Sequence, residues 1–172
     1  MALLKILTYP DPVLREPAQE IEEITDEIRK LASDMAQTMY AAPGIGLAAP
    51  QIGQSLQMVT IDMQDEETGG KLYTLINPKI VKRSEETQVF EEGCLSLPTI
   101  REDVERSSQI TLVAKNLDGE EITIEADDYF ATCIQHELDH LNGRLLIDHL
   151  SKLKQGVLKK KLKKIKANEE AP

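Results

Sequence analysis

Three stretches of the chain repeat apolar residues at steps of three and four, the spacing of an amphipathic helix. The first covers residues 24–39 and is terminated by Pro43-Gly44. The second covers residues 127–141 and is ended by Asn142-Gly143. The third is predicted to begin after Ser151, with an apolar stripe made of Leu153, Val157, Leu162 and Ile165.

Between the first two helices, short runs rich in apolar and β-branched residues predict strands. They are residues 56–61, 71–77, 79–84, 109–115 and 121–125. Polar turns at 65–70 and 116–119 separate them, and the second turn joins a hairpin. Strands that are grouped together and followed by helices favour antiparallel pairing over a doubly wound parallel sheet. We therefore predict an α+β fold, with antiparallel β-sheets packed around a central metal-binding helix and with N-terminal and C-terminal helices.

The length of 172 residues predicts one catalytic domain, residues 1–150, and a basic C-terminal helix and tail, residues 151–172. Aromatic residues make up only 3% of the chain, so the core is expected to be aliphatic. No apolar run approaches membrane-spanning length. The run at residues 1–7 is interrupted by Lys5 and is too short for a signal peptide. The sequence therefore predicts a cytoplasmic protein with no membrane contact.

The net charge of −10 is unevenly distributed along the chain. Residues 151–172 hold eight lysines and two glutamates, a charge of +6, which leaves −16 for the first 150 residues. A solvated helix packed on the body is one interpretation of the basic segment. The other is binding to RNA, because lysines that neutralise phosphates give salt-sensitive contacts that do not depend on base sequence.

The second predicted helix carries the candidate chemistry, in the segment His136-Glu137-Leu138-Asp139-His140. Two imidazoles four residues apart lie one turn above each other on one helix face, which suits a single metal ion. Glu137 follows the first histidine and can take a proton from water beside the ion. The alternative is a core helix with packed histidines, which gives Glu137 no purpose. The pattern favours a metal-dependent hydrolase.

Catalytic metal sites usually have three protein ligands and one open position. The candidates for the third ligand are Cys94, Cys133 and His149. Cys133 lies roughly 10 Å along the helix from His140, too far to share its ion, and is expected to line the wall beside the site. His149 has no supporting motif, so Cys94 is favoured. A disulfide between the two cysteines is the alternative, which a reducing compartment disfavours.

Two further stretches can complete such a site. Residues 43–51 form a loop of small residues around Gln51, and small residues permit close approach to a ligand, although a tight loop that feeds the next strand explains them equally. Residues 90–98 are interpreted as an exposed bend that presents Cys94. The Gln51 amide and a backbone N–H near Cys94 can stabilise charge on a carbonyl oxygen. The residues alone indicate metal-assisted hydrolysis of a carbonyl compound.

Three of these stretches resemble the peptide deformylase family. They are Gly44-Ile45-Gly46-Leu47-Ala48-Ala49-Pro50-Gln51, Glu92-Gly93-Cys94-Leu95-Ser96 and Gln135-His136-Glu137-Leu138-Asp139-His140, in the family's order. The opening Tyr9-Pro10-Asp11-Pro12 is also similar, so the resemblance extends to about residue 153. It implies removal of the formyl group from the N-terminal formylmethionine of nascent polypeptides, with release of formate.

The resemblance also implies a metal ion and the groups around it. One divalent ion would be bound, natively Fe²⁺ in much of the family, and the donor set also suits Zn²⁺, Ni²⁺ or Co²⁺. Glu137 would be the general acid and base, and Gln51 with the backbone N–H of Leu95 would hold the oxyanion. The metal ligands would be Cys94, His136 and His140.

The peptide groove and methionine pocket are implied less directly, by residues outside the strict motifs as well as within them. Glu92 would hold Arg106 or a metal ligand in place, with a plain surface ion pair as the alternative. Because the family's substrates emerge from ribosomes, the basic C-terminal helix would contact ribosomal RNA. The substrate-binding residues would be Ile45, Gly46, Phe90, Glu91, Arg101, Tyr129 and Cys133.

Two other functions compete with this interpretation. A metallopeptidase that cleaves internal peptide bonds would use the same chemistry, but the narrow alanine-rich loop and a cysteine ligand argue against it. A non-catalytic, metal-stabilised ribosome-binding module would need neither Glu137 nor Gln51, and it would prefer a fourth protein ligand to an open position.

Overall fold

The computed structural model describes residues 3–65 and 70–170. The helices in these residues are α1 (Asp26–Ala41), α2 (Asp128–Leu141) and α3 (Lys152–Glu170), with short 3₁₀ turns at Pro12–Arg15, Ala49–Ile52 and Leu146–His149. The strands are β1 (Gly46–Ala48), β2 (Met58–Asp62), β3 (Leu72–Arg83), β4 (Thr87–Cys94), β5 (Leu97–Ser107), β6 (Gln109–Lys115) and β7 (Glu121–Asp127). The central residues of the turn predicted at 65–70 lie outside the described part of the chain.

Within the described residues, the strands form two antiparallel sheets. The larger has the order β1-β2-β3-β6-β7, and the smaller consists of β4 paired with β5. Helix α2 contacts strands of both sheets. The predicted α+β class, with antiparallel sheets around a central helix, is confirmed, whereas the domain boundary at residue 150 stays a prediction.

Helix α2 is buried on nearly every side, because its apolar and polar residues face different neighbours. Its apolar residues Ala131, Ile134, Leu138 and Leu141 join a core cluster with sheet residues that include Val59, Ile61, Leu75 and Leu112. Five further buried residues of the same helix are polar, namely Thr132, Gln135, His136, Glu137 and His140. A polar group removed from water is costly unless it has a partner, so these five define where the structure must supply one.

Local sequence signals fix the ends of the helices. The Thr25 side chain accepts a hydrogen bond from the Ile28 N–H and so caps α1. Ser151 accepts from the Lys154 N–H at the start of α3, as predicted. Gly143 follows the C-terminal cap of α2, with a φ of +70°, and its missing side chain leaves room for the Arg15 carbonyl oxygen.

The predicted apolar stripe of α3 is wrong for its first half. Leu153 and Val157 are 80% and 60% exposed, whereas Leu162 is buried and Leu158 packs beside it on a second core cluster. The predicted stripe contains a step of five residues, from Val157 to Leu162. Residues five apart do not lie on the same face of a helix, so Val157 is not on the face that packs. No described helix combines the length and apolar character needed to cross a membrane.

The observed strands also differ from the predicted ones. Residues 71–77 and 79–84 belong to one strand, β3, which is irregular around Pro78. Strands β4 and β5 were not predicted, and the segment interpreted as a bend at 90–98 is a bend only at Leu95 and Ser96, between these strands. The three-residue strand β1 was also missed, because Gly46-Leu47-Ala48 is too short to show alternation.

We expect Gly143→Ala to lower the free energy of unfolding by at least about 2 kcal/mol, because alanine disfavours positive φ and its methyl group would meet the Arg15 backbone. An ideal Cβ at this position lies 2.4 Å from the Arg15 carbonyl oxygen. Urea denaturation measures the change. Gly156→Ala is the matched control: it lies within α3 with nothing within 4 Å of an added Cβ, so it should stabilise by about 0.5–1 kcal/mol. Equal effects of the two substitutions would contradict this explanation.

Candidate metal centre

Helix α2 and the end of β4 bring three candidate ligands to one point. Their ligand atoms all lie within 4.8 Å of one another, and the Cys94 Sγ is 3.4 Å from the His140 Nε2. The two histidines are buried and the cysteine is half-buried. Cys94 and Cys133 are both free thiols, so the disulfide alternative is wrong. His149 is bonded to Asp139 and does not belong to this group. The candidate ligand set is therefore Cys94, His136 and His140.

One buried carboxylate holds His136 in place. Glu92 is 3% exposed, and its Oε1 lies 2.9 Å from the His136 Nδ1. Arg106 donates to both oxygens of this carboxylate, through Nε at 2.7 Å and Nη2 at 3.0 Å. Because Nδ1 is engaged by Glu92, the other ring nitrogen of His136 is left for the ligand group. The surface ion pair considered for Glu92 is excluded by its burial.

The protonation of the two histidines is set by different surroundings. Burial and the neighbouring His136 lower the pKa of His140 to about 3, so its imidazole is neutral, the form that binds metals. Burial also opposes charge on His136, but hydrogen bonds to Cys94 and Glu92 outweigh it and hold the pKa of His136 well above its usual value. The pKa of Glu92 is lowered, since the bonds from His136 and Arg106 outweigh the effect of burial. Glu92 is therefore an anion that accepts a hydrogen bond from His136 and neutralises Arg106.

Glu137 is the buried acid beside the ligands. Its Oε1 has no hydrogen-bond partner, although it is inaccessible to solvent. Burial, with a smaller contribution from the negative charge of Glu92, raises the pKa of Glu137 to about 7. Its other oxygen lies against Gly46, where an added Cβ would be only 2.5 Å away. The carboxylate therefore fits only because residue 46 has no side chain.

Gln51 is held by hydrogen bonds next to Cys94. It is 1% exposed, and its Oε1 accepts a hydrogen bond from the Ala48 N–H at 2.9 Å. Its Nε2 donates to the Ser96 hydroxyl at 3.1 Å and approaches the Cys94 Sγ at 3.6 Å. The amide donor is thereby directed at the end of β4, which carries Cys94, and at the bend that follows it.

These groups open onto a cleft of about 440 Å³. Most of the predicted site residues line it, but Phe90, Glu91 and His140 do not. Phe90 instead packs edge-on against Tyr129, with 5.3 Å between the ring centroids. Glu91 accepts a hydrogen bond from the Arg101 Nε at 2.8 Å. The predicted residues that do line the cleft are Ile45, Gly46, Gln51, Cys94, Leu95, Arg101, Tyr129, Cys133, His136 and Glu137.

The cleft also contains residues that the sequence interpretation missed. Thr132 could have been found from helical spacing, because it lies three residues after Tyr129 and four before His136. Thr99 and Ile100 carry no such signal, since they belong to the unpredicted strand β5. The other cleft residues not assigned to the site before are Pro43, Gly44, Gly93 and Leu97.

The donor set fits a metal ion. One thiol sulfur and two imidazole nitrogens suit a borderline divalent ion, and the unpaired oxygen of Glu137 leaves a polar group beside it that no residue satisfies. A structural zinc site has four protein ligands, whereas three ligands at an open cleft are typical of catalysis. Fold and site together define a metal-dependent hydrolase.

The chain belongs to the peptide deformylase family. The family model described as polypeptide deformylase matches residues 3–156. A peptide deformylase of Acinetobacter baumannii is 52% identical over 165 residues, covering 96% of this chain and 93% of the relative.

Two solved structures are similar to this one. The crystal structure of a peptide deformylase from Legionella pneumophila has a TM-score of 0.90 at 40% identity, covering 99% of this chain and 100% of the other. The peptide deformylase of Ehrlichia chaffeensis, solved in complex with actinonin, has a TM-score of 0.92 at 38% identity with the same coverage. The predicted family and the predicted enzyme class are confirmed.

We expect Glu92→Gln to weaken metal binding by about 10- to 100-fold, because the amide is a poorer acceptor for His136 and leaves Arg106 without its main counter-charge. Competition between the protein and a chelator for Zn²⁺ measures the affinity. Glu91→Gln is the matched control, since Glu91 is exposed and pairs with Arg101 rather than with a ligand. Unchanged affinity in the Glu92 variant would show that the carboxylate does not support the site.

Proposed function

We propose that the protein removes the formyl group from the N-terminal formylmethionine of nascent polypeptides and releases formate. The observation that carries the proposal is the buried, unpaired Glu137 oxygen beside three candidate metal ligands in an open cleft. A carboxylate in that position has a use only if a substrate and water come to it. Because nascent chains are made by ribosomes, we place the activity in the cytoplasm.

Cys94, His136 and His140 would hold one divalent ion. When bound, the ion supplies Lewis-acid chemistry, which polarises a carbonyl group and makes water more acidic. The donors suit Fe²⁺, Zn²⁺, Ni²⁺ or Co²⁺, and we propose Fe²⁺ in the cell on the basis of the family resemblance. Metal analysis of protein purified from cells without exposure to oxygen identifies the ion.

Glu137 is assigned the proton transfers of the reaction. Its carboxylate accepts a proton from the attacking water as oxygen adds to the formyl carbon. When the carbon–nitrogen bond breaks, the same group gives that proton to the departing amine, so that formate and a free N-terminus are produced. A pKa of about 7 allows Glu137 to hold and release the proton near neutral pH.

Gln51 and Leu95 are assigned the developing negative charge. The Gln51 amide is fixed by Ala48 and Ser96 and points at the bend after Cys94. The backbone N–H of Leu95 belongs to that bend. Donors that are held before the reaction stabilise an oxyanion without having to reorganise.

The substrate is assigned to the cleft. Ile45 and Gly46 line it from the loop and strand before Gln51, and Tyr129 and Cys133 line it from the first turns of α2. Arg101, which lines the cleft and is paired with Glu91, is also assigned to contact the peptide. Phe90 is assigned an indirect role, because its ring packs against Tyr129, which lines the cleft.

We expect Glu137→Gln to retain the metal but to lower formate release from formyl-Met-Ala-Ser by about 10²- to 10⁴-fold, because the amide cannot carry the proton. The assay is run without oxygen on protein loaded with a defined metal, and metal content is measured on the same samples. Glu125→Gln, an exposed residue of β7, is the control and should match the wild type. Substantial activity in the fully loaded Glu137 variant would rule out the assigned role.

We also propose that α3 contacts ribosomal RNA. Its inner face is committed to the body, because Leu162 is buried, Lys154 pairs with Glu102 and the Lys166 ammonium donates to the Thr8 carbonyl oxygen. Four exposed lysines lie close together in the middle of the helix, and lysines at such positions can neutralise phosphates. They are Lys160, Lys161, Lys163 and Lys164.

Replacing these four lysines together by glutamine should weaken cosedimentation with ribosomes at low salt and flatten its salt dependence, because fewer counterions are released. Turnover of formyl-Met-Ala-Ser should stay within about twofold, since none of the four contacts the cleft. The control removes the same charge from the body, by replacing Lys5, Lys30, Lys82 and Lys115. Equal loss of ribosome binding in both variants would show that α3 is not a specific contact.

A further inference from the structure

We propose that His149 is a positioning residue for the metal ligand His136, acting through Asp139, Arg106 and Glu92. The inference rests on the proposed function only in taking His136 as a ligand. We call these four residues the His149–Asp139–Arg106–Glu92 network. Nothing in the family motifs includes His149.

The network is continuous and each step is a hydrogen bond. The His149 Nε2 donates to the Asp139 Oδ2 at 2.7 Å, and the Arg106 Nη1 donates to the same oxygen at 2.9 Å. Arg106 donates its other two groups to Glu92, at 2.7 and 3.0 Å. Glu92 accepts from the His136 Nδ1 at 2.9 Å. No step is long enough to require a bridging water.

The network becomes less exposed toward the metal site. The side chain of His149 is 21% exposed and that of Asp139 is 17% exposed, whereas those of Arg106 and Glu92 are 4% and 3% exposed. Charged groups out of water are weakly screened, so each one is held firmly by the next. A displacement of Asp139 is therefore transmitted to Arg106 rather than absorbed by solvent.

Arg106 is the residue through which His149 acts, because it divides its donors between two carboxylates. With His149 present, Asp139 is held from two sides and fixes the guanidinium from behind. Without His149, Asp139 still accepts a hydrogen bond from Arg106 but loses the partner that prevents the carboxylate from rotating toward water. The guanidinium then fixes Glu92 less well, and the ring of His136 is less well oriented for its ion.

His149 belongs to the short turn Leu146–His149 that connects the end of α2 to α3. The turn itself is stabilised by a different residue. Asp148 accepts from the Leu145 N–H at 2.9 Å and pairs with Arg15, and neither contact involves the network. The same turn thus offers one residue linked to the metal site and a neighbour that is not, which separates positioning from a general structural role.

The test uses the full chain loaded with Co²⁺, whose visible absorption reports ligand geometry and whose dissociation constant is measured against a chelator. His149→Phe keeps a ring but removes the donor, and should weaken Co²⁺ binding by about 3- to 10-fold and alter the absorption band. His149→Gln places an amide N–H where the Nε2–H stood, and should restore both within about twofold. Asp148→Ala should lower the urea midpoint without affecting Co²⁺.

A double-mutant cycle tests the route. In a Glu92→Gln background, His149→Phe should change Co²⁺ affinity by less than about twofold, because the network is already weakened beyond Arg106. If the phenylalanine variant folds poorly, His149→Asn serves instead, since its amide is too short to replace Nε2. Full additivity of His149 and Glu92 substitutions, or an unchanged absorption band and affinity in the His149 variants, would overturn the proposal. Absence of formate release by the wild type would refute the proposed function alone, because Co²⁺ binding is measured without substrate.

Discussion

The structure depends on the burial of an ionic helix face in an otherwise apolar interior. Helix α2 lies between two sheets, and the residues that make it chemically useful, His136, Glu137 and His140, are all less than 10% exposed. Burial of unpaired charge is costly, so each group must find a partner or stay neutral. Glu92 is the buried partner of His136, and Arg106 is the buried partner of Glu92. Strand β4 carries Glu92 and strand β5 carries Arg106, so these two strands bring the pair to the helix.

This constraint also explains which parts of the fold could be predicted. Helices α1 and α2 and the longer strands of the larger sheet follow from local spacing, because their apolar residues face the core. In β4 the pattern is inverted: Val89 faces solvent, while the buried position of that strand is the acid Glu92. In β5 the buried Val104 is followed two positions later by the buried Arg106. Alternation cannot reveal strands whose inward residues are an ion pair.

More of the candidate site than of the surrounding fold could be predicted from the sequence. The spacing of His136 and His140 is a local property of one helix, so it needed no tertiary information. Cys94 was reached by elimination among three candidates, and the structure places it with both histidines. The partners of those ligands are non-local: Glu92 meets His136 across 44 positions of sequence, and His149 meets Asp139 only because α2 ends in a turn. Such contacts have no signature in spacing and come only from the assembled fold.

The glycine-rich loop shows how one feature serves both packing and chemistry. The small residues at 43–51 have two interpretations, room for a ligand or a tight loop. In the structure they permit close packing: Gly46 leaves space for the Glu137 carboxylate, and Gly44 leaves space for the Leu95 side chain. A larger residue at 46 would push the acid out of its position beside the ligands. An unpaired oxygen on a buried acid destabilises a fold, so the loop stabilises a local arrangement that a protein selected for stability alone would lack. Room beside Glu137 is therefore better explained by what must enter the cleft than by the needs of the core.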